Sequence, residues 1–282
     1  MAEHNKSGTL YIVATPIGNL EDISYRAVRI LKEADLIACE DTRHTAKLLR
    51  HYGIDKPTIS YHEHNEAARA EELVAKLEQG LNVAQVSDAG MPGISDPGYR
   101  LIKLAIERGV QVVPIPGASA LVAALAASGL PTDNFQFLGF LPAKSGQRRT
   151  TLETLRHAEH TTVVYEAPHR IAETMKDIVE LLGAERPVVL ARELTKVHEE
   201  FIRGPASQVF QRVQEHELKG EITLLIGKGA GQEVAAKNIA QHLNEIMREQ
   251  KLDEKAGLKV LAKERGLSKS EAYRELQRLR KK

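Results

Sequence analysis

Residues 86–98 read Val86-Ser87-Asp88-Ala89-Gly90-Met91-Pro92-Gly93-Ile94-Ser95-Asp96-Pro97-Gly98 and continue an apolar run that begins at Asn82. The run predicts a buried strand, and the residues after it predict a loop at the carboxyl end of that strand. Glycines allow positive φ angles and close approach of a ligand, whereas prolines hold the loop open. Asp88 and Asp96 supply anionic acceptors with no nearby lysine to neutralise them. Since α/β sheets bind ligands at the carboxyl ends of their strands, this loop is a candidate ligand site, but not one for phosphate.

The first half of the chain alternates short β-type runs with helical patterns, which predicts a mostly parallel sheet flanked by helices. The predicted strands are 10–14, 36–40, 58–61, 82–87 and 111–115, and the predicted helices are 24–33, 42–52, 66–79, 98–108 and one from Ser119 that ends at Gly129.

The pattern changes beyond Pro131, where there are fewer helices per strand. Strands are predicted at 135–140, 161–165, 187–190, 199–203 and 221–226, and helices at 146–157, 170–182 and 206–215. This second part is therefore predicted to be a mixed α+β domain.

A glycine-rich segment, residues 227–232, has the composition of a linker, and helical patterns follow it. Gly266 interrupts them, and Ser268 and Glu271 have the spacing of a capping box that starts a further helix. Residues 251–282 contain eleven Lys or Arg against five Asp or Glu. Two basic helices joined by a glycine turn resemble a helix-turn-helix, with a solvated tail or a dimerisation hairpin as the alternative. Three units are predicted, at 9–130, 131–228 and 234–282.

The composition excludes several classes of protein. The chain has 282 residues and a net charge of +1, no apolar run long enough to cross a bilayer, and a polar start without a signal peptide core, so a cytoplasmic protein is expected. Cys39 is the only cysteine, which excludes an intramolecular disulfide and a cysteine-based zinc site. His62 and His64 lack an identifiable third ligand, so no metal site is predicted.

Two further loops of small residues, 14–20 and 116–119, follow predicted strands in the same way as 87–98. Tight turns between strands and helices account for one or two such loops but not for three of this composition. The chain contains neither G-x-x-x-x-G-K-[ST] nor G-x-G-x-x-G, which weighs against a nucleoside triphosphatase and a standard dinucleotide dehydrogenase. The three loops together predict a ligand site on one rim of the sheet.

Five motifs in a fixed order resemble the ribosomal RNA branch of the tetrapyrrole methylase family, and the resemblance covers about Leu10 to Gly227. The motifs are residues 10–23, Glu40-Asp41-Thr42-Arg43, residues 86–98, Tyr165-Glu166-Ala167-Pro168-His169-Arg170 and Ala191-Arg192-Glu193-Leu194-Thr195-Lys196. Many members of the family carry G-x-G-P-G in the first loop and G-D-P in the second. This chain has Thr15-Pro16-Ile17-Gly18 and Ser87-Asp88-Ala89-Gly90 instead, which disfavours a porphyrin-like substrate.

The resemblance implies a two-domain tetrapyrrole-methylase-like α/β fold with a mostly parallel N-terminal sheet, a mixed C-terminal α+β domain and a small helical extension. It also implies a homodimer that uses S-adenosylmethionine to methylate the 2′-oxygen of a cytidine in small-subunit ribosomal RNA, either free or in the small ribosomal subunit, with no membrane partner. The alternatives are a tetrapyrrole C-methyltransferase of the precorrin or uroporphyrinogen type and a non-catalytic RNA-binding protein.

By the pattern of the family, fourteen residues are predicted to contact S-adenosylmethionine: Pro16, Gly18, Ser87, Asp88, Ala89, Gly90, Pro92, Ala118, Ser119, Ala120, Ala191, Arg192, Glu193 and Leu194. Carbonyl-rich, cation-poor loops suit a sulfonium cation, and a helix that starts near Ser119 offers free N–H groups to a carboxylate. The candidate bases are Glu40, Asp41, Asp88, Glu166, Glu193 and Lys196. Asp88 and Glu193 are favoured as cleft carboxylates, and loop anchoring is the alternative role.

Basic side chains of both domains are candidate RNA contacts, because guanidinium groups suit phosphate oxygens and stack on exposed bases. They are Arg43, His44, Arg148, Arg149, Arg170 and Arg192. Arg43, Arg170 and Arg192 each lie close in sequence to a carboxylate, so an ion pair that holds the structure is the alternative, and a solvated surface loop is the alternative for Arg148 and Arg149.

Overall fold

The computed structural model describes residues 7–216, 218–229, 239–250, 252–264 and 267–280. Strands and helices alternate through its first part, as the sequence predicts. In chain order they are β1 (Thr9–Val13), α1 (Tyr25–Glu33), β2 (Leu36–Cys39), α2 (Thr42–His51), β3 (Thr58–Ser60), α3 (Glu66–Glu78), β4 (Val83–Val86), α4 (Tyr99–Glu107), β5 (Gln111–Ile115) and α5 (Ala120–Ser128).

The five strands form one sheet in the order β3-β2-β4-β1-β5, and every pair in it is parallel. This confirms the predicted parallel sheet. Apolar residues of α1 and α2 pack in one cluster with the strands, and residues of α3 and α4 pack in another. Because helices cover both faces, β4 is buried along its whole length, which explains its unbroken apolar run.

Local chemistry sets several helix ends. The Ser24 hydroxyl accepts a hydrogen bond from the N–H of Ala27 at 3.1 Å and caps α1. The Asp41 carboxylate accepts one from the N–H of Arg43 at 2.8 Å and caps α2. Gly129 has a left-handed φ of 80° and ends α5 at the predicted residue.

The second part contains β6 (Phe135–Phe140), α6 (Ser145–Glu153), β7 (Thr161–Glu166), α7 (Ile171–Leu182), β8 (Pro187–Arg192), β9 (Glu200–Pro205), α8 (Ala206–Glu215) and β10 (Ile222–Ile226). Its sheet has the order β6-β7-β10-β8-β9. The β6–β7 pair is parallel and the other pairs are antiparallel, which confirms a mixed sheet. Helix α6 ends before the predicted residue because the next residues form i to i−3 turns, such as Leu155 N–H to Leu152 C=O at 2.9 Å.

Helix α5 joins the two sheets. Its buried residues Ala124 and Leu125 pack against Val163, Val189 and Leu225 of the second sheet. This apolar contact holds the loop that precedes α5 close to the ends of the second set of strands.

Three helices follow: α9 (Ile239–Gln250), α10 (Glu254–Glu264) and α11 (Lys269–Arg280). They share one apolar cluster. The predicted capping box is confirmed, since Ser268 N–H donates to Glu271 Oε2 at 2.8 Å and Glu271 N–H donates to Ser268 Oγ at 3.2 Å. The second half of the predicted linker, from Ala230 on, and the predicted break at Gly266 lie outside the described residues. Within the described chain, none of the helices is both long and apolar enough to cross a membrane.

Candidate active site

The three loops predicted to share a ligand site follow β1, β4 and β5, which are adjacent strands of the first sheet. Two of them are joined directly, because Thr15 N–H donates to Gly90 C=O at 2.9 Å and Gly90 N–H donates to Thr15 C=O at 3.1 Å. The Ser87 hydroxyl donates to the same Gly90 carbonyl at 3.2 Å. The structure therefore brings these loops together at one edge of the sheet.

A first cavity, of about 300 Å³, lies where these loops meet the second sheet. We call it the apolar cavity. Its lining includes Ala89, Gly90, Met91, Ile94, Asp96, Ser119 and Ala120 from the first sheet and Phe140, Tyr165, Pro168, Ile222 and Thr223 from the second. Most of these side chains are apolar or small, and the carboxylates of Asp96, Glu166 and Glu221 also line the cavity.

A second cavity, of about 500 Å³, adjoins the first and is called the polar cavity. Its lining includes Thr15, Pro16, Gly18, His44, Thr45, Lys47, Ser87, Asp88 and Lys196. Both cavities are lined by Ile17, Ala89 and Glu221. Two molecules bound side by side would therefore meet at these three residues.

The residues predicted to bind the cofactor separate into three groups. Ala89, Gly90, Ser119 and Ala120 line the apolar cavity, and Pro16, Gly18, Ser87, Asp88 and Ala89 line the polar cavity. The others line neither cavity: Pro92, Ala118, Ala191, Arg192, Glu193 and Leu194. Ala191 and Leu194 belong instead to the apolar cluster between the sheets.

The wall that the second sheet contributes differs from the predicted one. It comes from residues 165–168 at the end of β7 and residues 220–223 at the start of β10. Strand β10 runs antiparallel to β7 and β8, so its first residues lie at the same edge as the last residues of those strands. The sequence reasoning missed residues 220–223 because only the sheet topology brings them there.

The start of α5 contributes backbone donors to the apolar cavity. Ser119 and Ala120 line this cavity, and the Ser119 side chain forms no capping hydrogen bond with the helix. The amino end of a helix carries about half a positive charge on unpaired N–H groups. This end of the cavity therefore suits a carboxylate.

Three carboxylates of the cleft, Glu40, Asp88 and Asp96, influence one another. Burial, followed by the negative charges of Glu40 and Asp88, raises the pKa of Asp96 to about 7. Burial, followed by the charge of Asp88, also raises the pKa of Glu40. Near neutral pH, Asp96 is thus poised to lose a proton when a cation approaches. Sequence reasoning noted Asp96 as an anion but gave no sign that its pKa is shifted.

Glu193 is held in place by its neighbours. Its Oε1 accepts hydrogen bonds from Lys196 Nζ at 2.8 Å and from the N–H of Glu221 at 2.9 Å, and these bonds lower its pKa. A carboxylate with a lowered pKa is a weak base, so these contacts favour the anchoring role for Glu193. Lys196 also donates to Glu221 Oε2 at 3.0 Å. No lysine lies near Asp88 in the sequence, but the fold brings Lys47 and Lys196 to the same cavity as Asp88.

Two other candidate bases are also engaged within the chain. Glu166 accepts hydrogen bonds from the Thr174 hydroxyl at 2.6 Å and from the N–H of Ala167 at 2.8 Å. Asp41 caps α2 and pairs with Arg43 at 2.9 Å. Asp88 accepts one hydrogen bond, at Oδ1 from the N–H of Asp41 at 3.2 Å. Of these carboxylates, Asp88 is the one most available to a bound molecule.

Three residues beside the cleft have left-handed backbone although they are not glycine. They are Ser95 (φ 62°), Glu193 (φ 51°) and Thr195 (φ 67°). Such conformations are strained for side chains with a Cβ and persist where the surrounding contacts fix them. For Glu193 those contacts are its hydrogen bonds to Lys196 and Glu221.

The candidate RNA contacts of the first domain lie near the polar cavity. His44 lines this cavity. Arg43 precedes it in the first turn of α2, and its side chain is 89% exposed although it pairs with Asp41. Both remain accessible to a large ligand.

Of the candidate RNA contacts of the second domain, the structure contradicts Arg148 and gives Arg149 ion-pair partners within the chain. The Arg148 side chain is 3% exposed, and its Nε donates to Asp177 Oδ2 at 2.8 Å, so it supports α6 against α7 and does not face solvent. Arg149 also pairs with Asp177, at 2.6 Å, and with Glu180.

Arg170 and Arg192 have structural partners as well. Arg170 donates to the carbonyl oxygens of Leu141 and Pro142 at 2.8 and 3.1 Å, and its side chain is largely buried. Arg192 pairs with Glu200 at 3.2 Å. Arg170 also forms the expected ion pair with Glu166, at 3.3 Å, whereas the partner of Arg192 is Glu200 and not the neighbouring Glu193.

The buried ion pair of Arg148 and Asp177 can be used to test whether Arg148 has a structural role. We expect Arg148→Gln to lower the free energy of unfolding by about 2 kcal/mol, because Asp177 then loses one of its two charged partners. RNA binding should not change. Arg149→Gln is the matched control, since Arg149 is more exposed and its loss leaves the inner pair intact. Urea denaturation with an RNA binding assay checks both, and weaker RNA binding by Arg148→Gln at unchanged stability would contradict the assignment.

Known proteins with a similar sequence or structure identify the family to which this architecture belongs. The family model described as Tetrapyrrole (Corrin/Porphyrin) Methylases matches residues 9–209. Among solved structures, the methyltransferase CobJ has a TM-score of 0.60 at 19% identity, covering 79% of this chain and 95% of that one. Uroporphyrin-III C-methyltransferase from Thermus thermophilus, complexed with S-adenyl homocysteine, has a TM-score of 0.56 at 19% identity, covering 78% and 97%.

Much more similar sequences are found among curated proteins. "Ribosomal RNA small subunit methyltransferase I" of Halalkalibacterium halodurans is 46% identical over 96% of this chain and 95% of its own length. The protein of the same name from Synechocystis is 48% identical over 95% and 92%, and that from Escherichia coli O157:H7 is 49% identical over 81% of each chain.

The two sheets, the loops at their shared edge and the adjoining cavities define the class of α/β proteins with a tetrapyrrole methylase fold. The chain belongs to the tetrapyrrole (corrin/porphyrin) methylase family.

Proposed function

We propose that this protein transfers the methyl group of S-adenosylmethionine to ribosomal RNA of the small subunit. The observation that carries the proposal is the pair of adjoining cavities that meet at Ile17, Ala89 and Glu221, one for a donor and one for an acceptor. Curated relatives that are 46–49% identical over most of the chain are named as ribosomal RNA small subunit methyltransferases. The cavities supply the two sites that such a reaction needs.

The apolar cavity fits S-adenosylmethionine. The free N–H groups of α5 at Ser119 and Ala120 suit its carboxylate, and the apolar and aromatic lining suits its adenosine. Asp96 offers negative charge to a sulfonium cation. When bound, this cofactor supplies a methyl group attached to a positively charged sulfur. After the transfer, the sulfur is part of a neutral thioether, which is the leaving group.

The polar cavity fits the acceptor. His44, Lys47 and Lys196 line it with donors, and Asp88 lies beside the shared residue Ala89. We assign to Asp88 the role of proton acceptor: its carboxylate takes the proton of the attacking hydroxyl as the bond from oxygen to the methyl carbon forms. A positioned base contributes about 10²–10⁴ in rate. Alignment of the two ligands by the walls of the cavities contributes the remainder.

We assign the attacking group to the 2′-hydroxyl of a cytidine, an assignment carried over from the family resemblance. The test incubates the purified protein with small ribosomal subunits from cells that lack it and with methyl-labelled S-adenosylmethionine. Digestion to nucleosides and mass spectrometry should find the label in 2′-O-methylcytidine. Label on a base or on another ribose would correct the nucleophile, and label only on uroporphyrinogen III or a precorrin would support the tetrapyrrole alternative.

The shifted pKa of Asp96 predicts a pH dependence of cofactor binding. As the pH rises through about 7, Asp96 becomes an anion and attracts the sulfonium. If only this form binds the cation well, affinity for S-adenosylmethionine rises up to about tenfold between pH 6 and 8. S-adenosylhomocysteine lacks the sulfur charge, so the ratio of the two affinities isolates the effect. Calorimetry at several pH values measures this ratio.

Asp96→Asn is the matched variant for this experiment. It keeps the shape of the side chain but cannot ionise, so the affinity ratio should no longer depend on pH. A ratio that is flat with pH in the unaltered protein would contradict the role of Asp96.

We further propose the division of the chain at 9–130, 131–228 and 234–282, a homodimeric assembly and a cytoplasmic location. The strands of the first sheet lie within 9–115 and those of the second within 135–226, which supports the boundary between them. The assembly is carried over from the family resemblance and is tested by light scattering. The location follows from the proposed ribosomal substrate.

A further inference from the structure

A basic groove of about 450 Å³ lies on the second sheet, outside both cavities. It is lined chiefly by Arg192, His198, Glu200, Arg212, His216 and Lys219. Arg192 ends β8, and Glu200 is its partner in the β8–β9 register. Arg212 comes from the last turn of α8, and Lys219 from the segment between α8 and β10. Nothing in the reaction proposed above uses this groove.

The charges in the basic groove are not balanced. Among the lining residues that the structure describes, Glu200 is the one carboxylate, and it already accepts hydrogen bonds from Arg192 Nε and Nη2 at 3.3 and 3.2 Å. Arg212 and Lys219 are exposed and have no ion pair in the part of the chain that the structure describes. As far as the structure describes it, the groove therefore presents two cations without an ion pair and two histidines to solvent.

The basic groove shares its backbone with the wall of the active site. Lys219 is followed by Gly220 and Glu221, which line the cavities, and Arg192 is followed by Glu193. Hydrogen bonds join the segment 192–193 to the segment 219–221, both in the groove and in the wall of the active site. Arg192 Nη1 donates to the carbonyl of Lys219 at 3.2 Å, and the N–H of Glu221 donates to Glu193 Oε1 at 2.9 Å. A chain ligand leaving the cleft over this wall would reach the groove directly.

We propose that the basic groove binds a phosphodiester group of the RNA strand outside the methylated nucleotide, an inference that rests on the proposed function. Guanidinium and ammonium groups without carboxylate partners suit phosphate oxygens. Such contacts position a strand without reading its sequence, and they hold the target nucleotide at the cleft. The groove thus explains how a chain with a net charge of only +1 engages a polyanion.

The test neutralises the two free cations in the full chain with the double variant Arg212→Gln and Lys219→Gln. Binding of a labelled single-stranded oligoribonucleotide, measured by anisotropy, should weaken roughly tenfold, and the slope of log affinity against log salt should fall by about 1.4. The KM for small ribosomal subunits should rise, while affinity for S-adenosylhomocysteine stays unchanged. The matched control is Lys32→Gln with Lys176→Gln, which removes two exposed charges that line neither the groove nor the apolar and polar cavities.

The outcomes distinguish RNA binding by the groove from a purely structural role of its cations. Equal RNA affinity and salt slope in the double variant and the control would overturn the proposal, as would competition by polyglutamate as strong as that by RNA. A lower melting temperature with unchanged RNA binding would show that Arg212 only complements the carboxyl end of α8, which also overturns it. Failure of the unaltered protein to methylate small subunits would refute the proposed function instead, because the oligoribonucleotide assay does not depend on catalysis.

Discussion

Asp88→Asn is expected to lower kcat for methyl transfer by about 10²–10⁴, the range that a positioned general base contributes. Asp88 lines the polar cavity and precedes Ala89, which both cavities share. Its Oδ1 is occupied by the N–H of Asp41, and no hydrogen bond within the described chain reaches Oδ2. Asparagine keeps the oxygen that accepts from Asp41 but cannot take a proton from a hydroxyl. Single-turnover kinetics with small ribosomal subunits measures the loss.

Asp41→Asn is the matched control, since it removes the negative charge of a residue whose backbone N–H is hydrogen-bonded to Asp88. Asp41 caps α2 and pairs with Arg43, so its loss should reduce stability slightly and leave kcat nearly unchanged. Calorimetry should show that Asp88→Asn retains cofactor binding. Equal losses of kcat in the two variants would assign the effect to the charge of the cleft and remove Asp88 from the role of base.

Gly220→Ala is expected to lower kcat/KM for S-adenosylmethionine by roughly 10²-fold, because displacement of a positioning wall by about 1 Å has effects of that size. Gly220 has φ +88°, and a Cβ there would lie 2.3 Å from Glu193 Oε1 and Cδ. The Glu193 side chain must then move, and it holds both Lys196 and the N–H of Glu221. The residue next to the clash, Glu221, lines both cavities. Cofactor titration and steady-state kinetics check this result.

Gly109→Ala separates backbone strain from the clash. Gly109 also has a left-handed φ, +73°, but a Cβ there meets nothing within 4 Å. Both variants should lose about 1 kcal/mol of stability from the conformation alone. Only Gly220→Ala should lose cofactor affinity. If Gly109→Ala impaired binding as much, general destabilisation would explain both variants.

Most of the fold could be predicted from the sequence because its signals are local and agree with one another. The apolar run before Ser87 and the glycine at 129 each mark the end of an element through a chemistry that depends on few neighbours. The three small-residue loops could be grouped because parallel strands all end at one edge of a sheet. The predicted ends of the elements were less accurate. At α6 the helix is followed by tighter turns, and no residue type in the sequence indicates that change.

The active site was predictable only in part, because its second wall depends on sheet order. Residues 220–223 reach the cleft because β10 runs antiparallel between β7 and β8, which no local motif encodes. The buried position of Arg148 could not be predicted for a related reason. Its partner Asp177 lies 29 residues away on another helix, and a basic loop has the same composition whether its charges face RNA or a buried carboxylate.

The left-handed backbone of Ser95, Glu193 and Thr195 has a consequence for adaptation to heat. Glycine in place of Ser95 or Thr195 would relieve backbone strain and raise stability in a lineage that adapts to higher temperature. Glycine in place of Glu193 would also remove the side chain that holds Lys196 and the N–H of Glu221, so no gain in stability is expected there. Relief of strain beside the cleft would make its rim more flexible and slow turnover, so stability and turnover are opposed at Ser95 and Thr195.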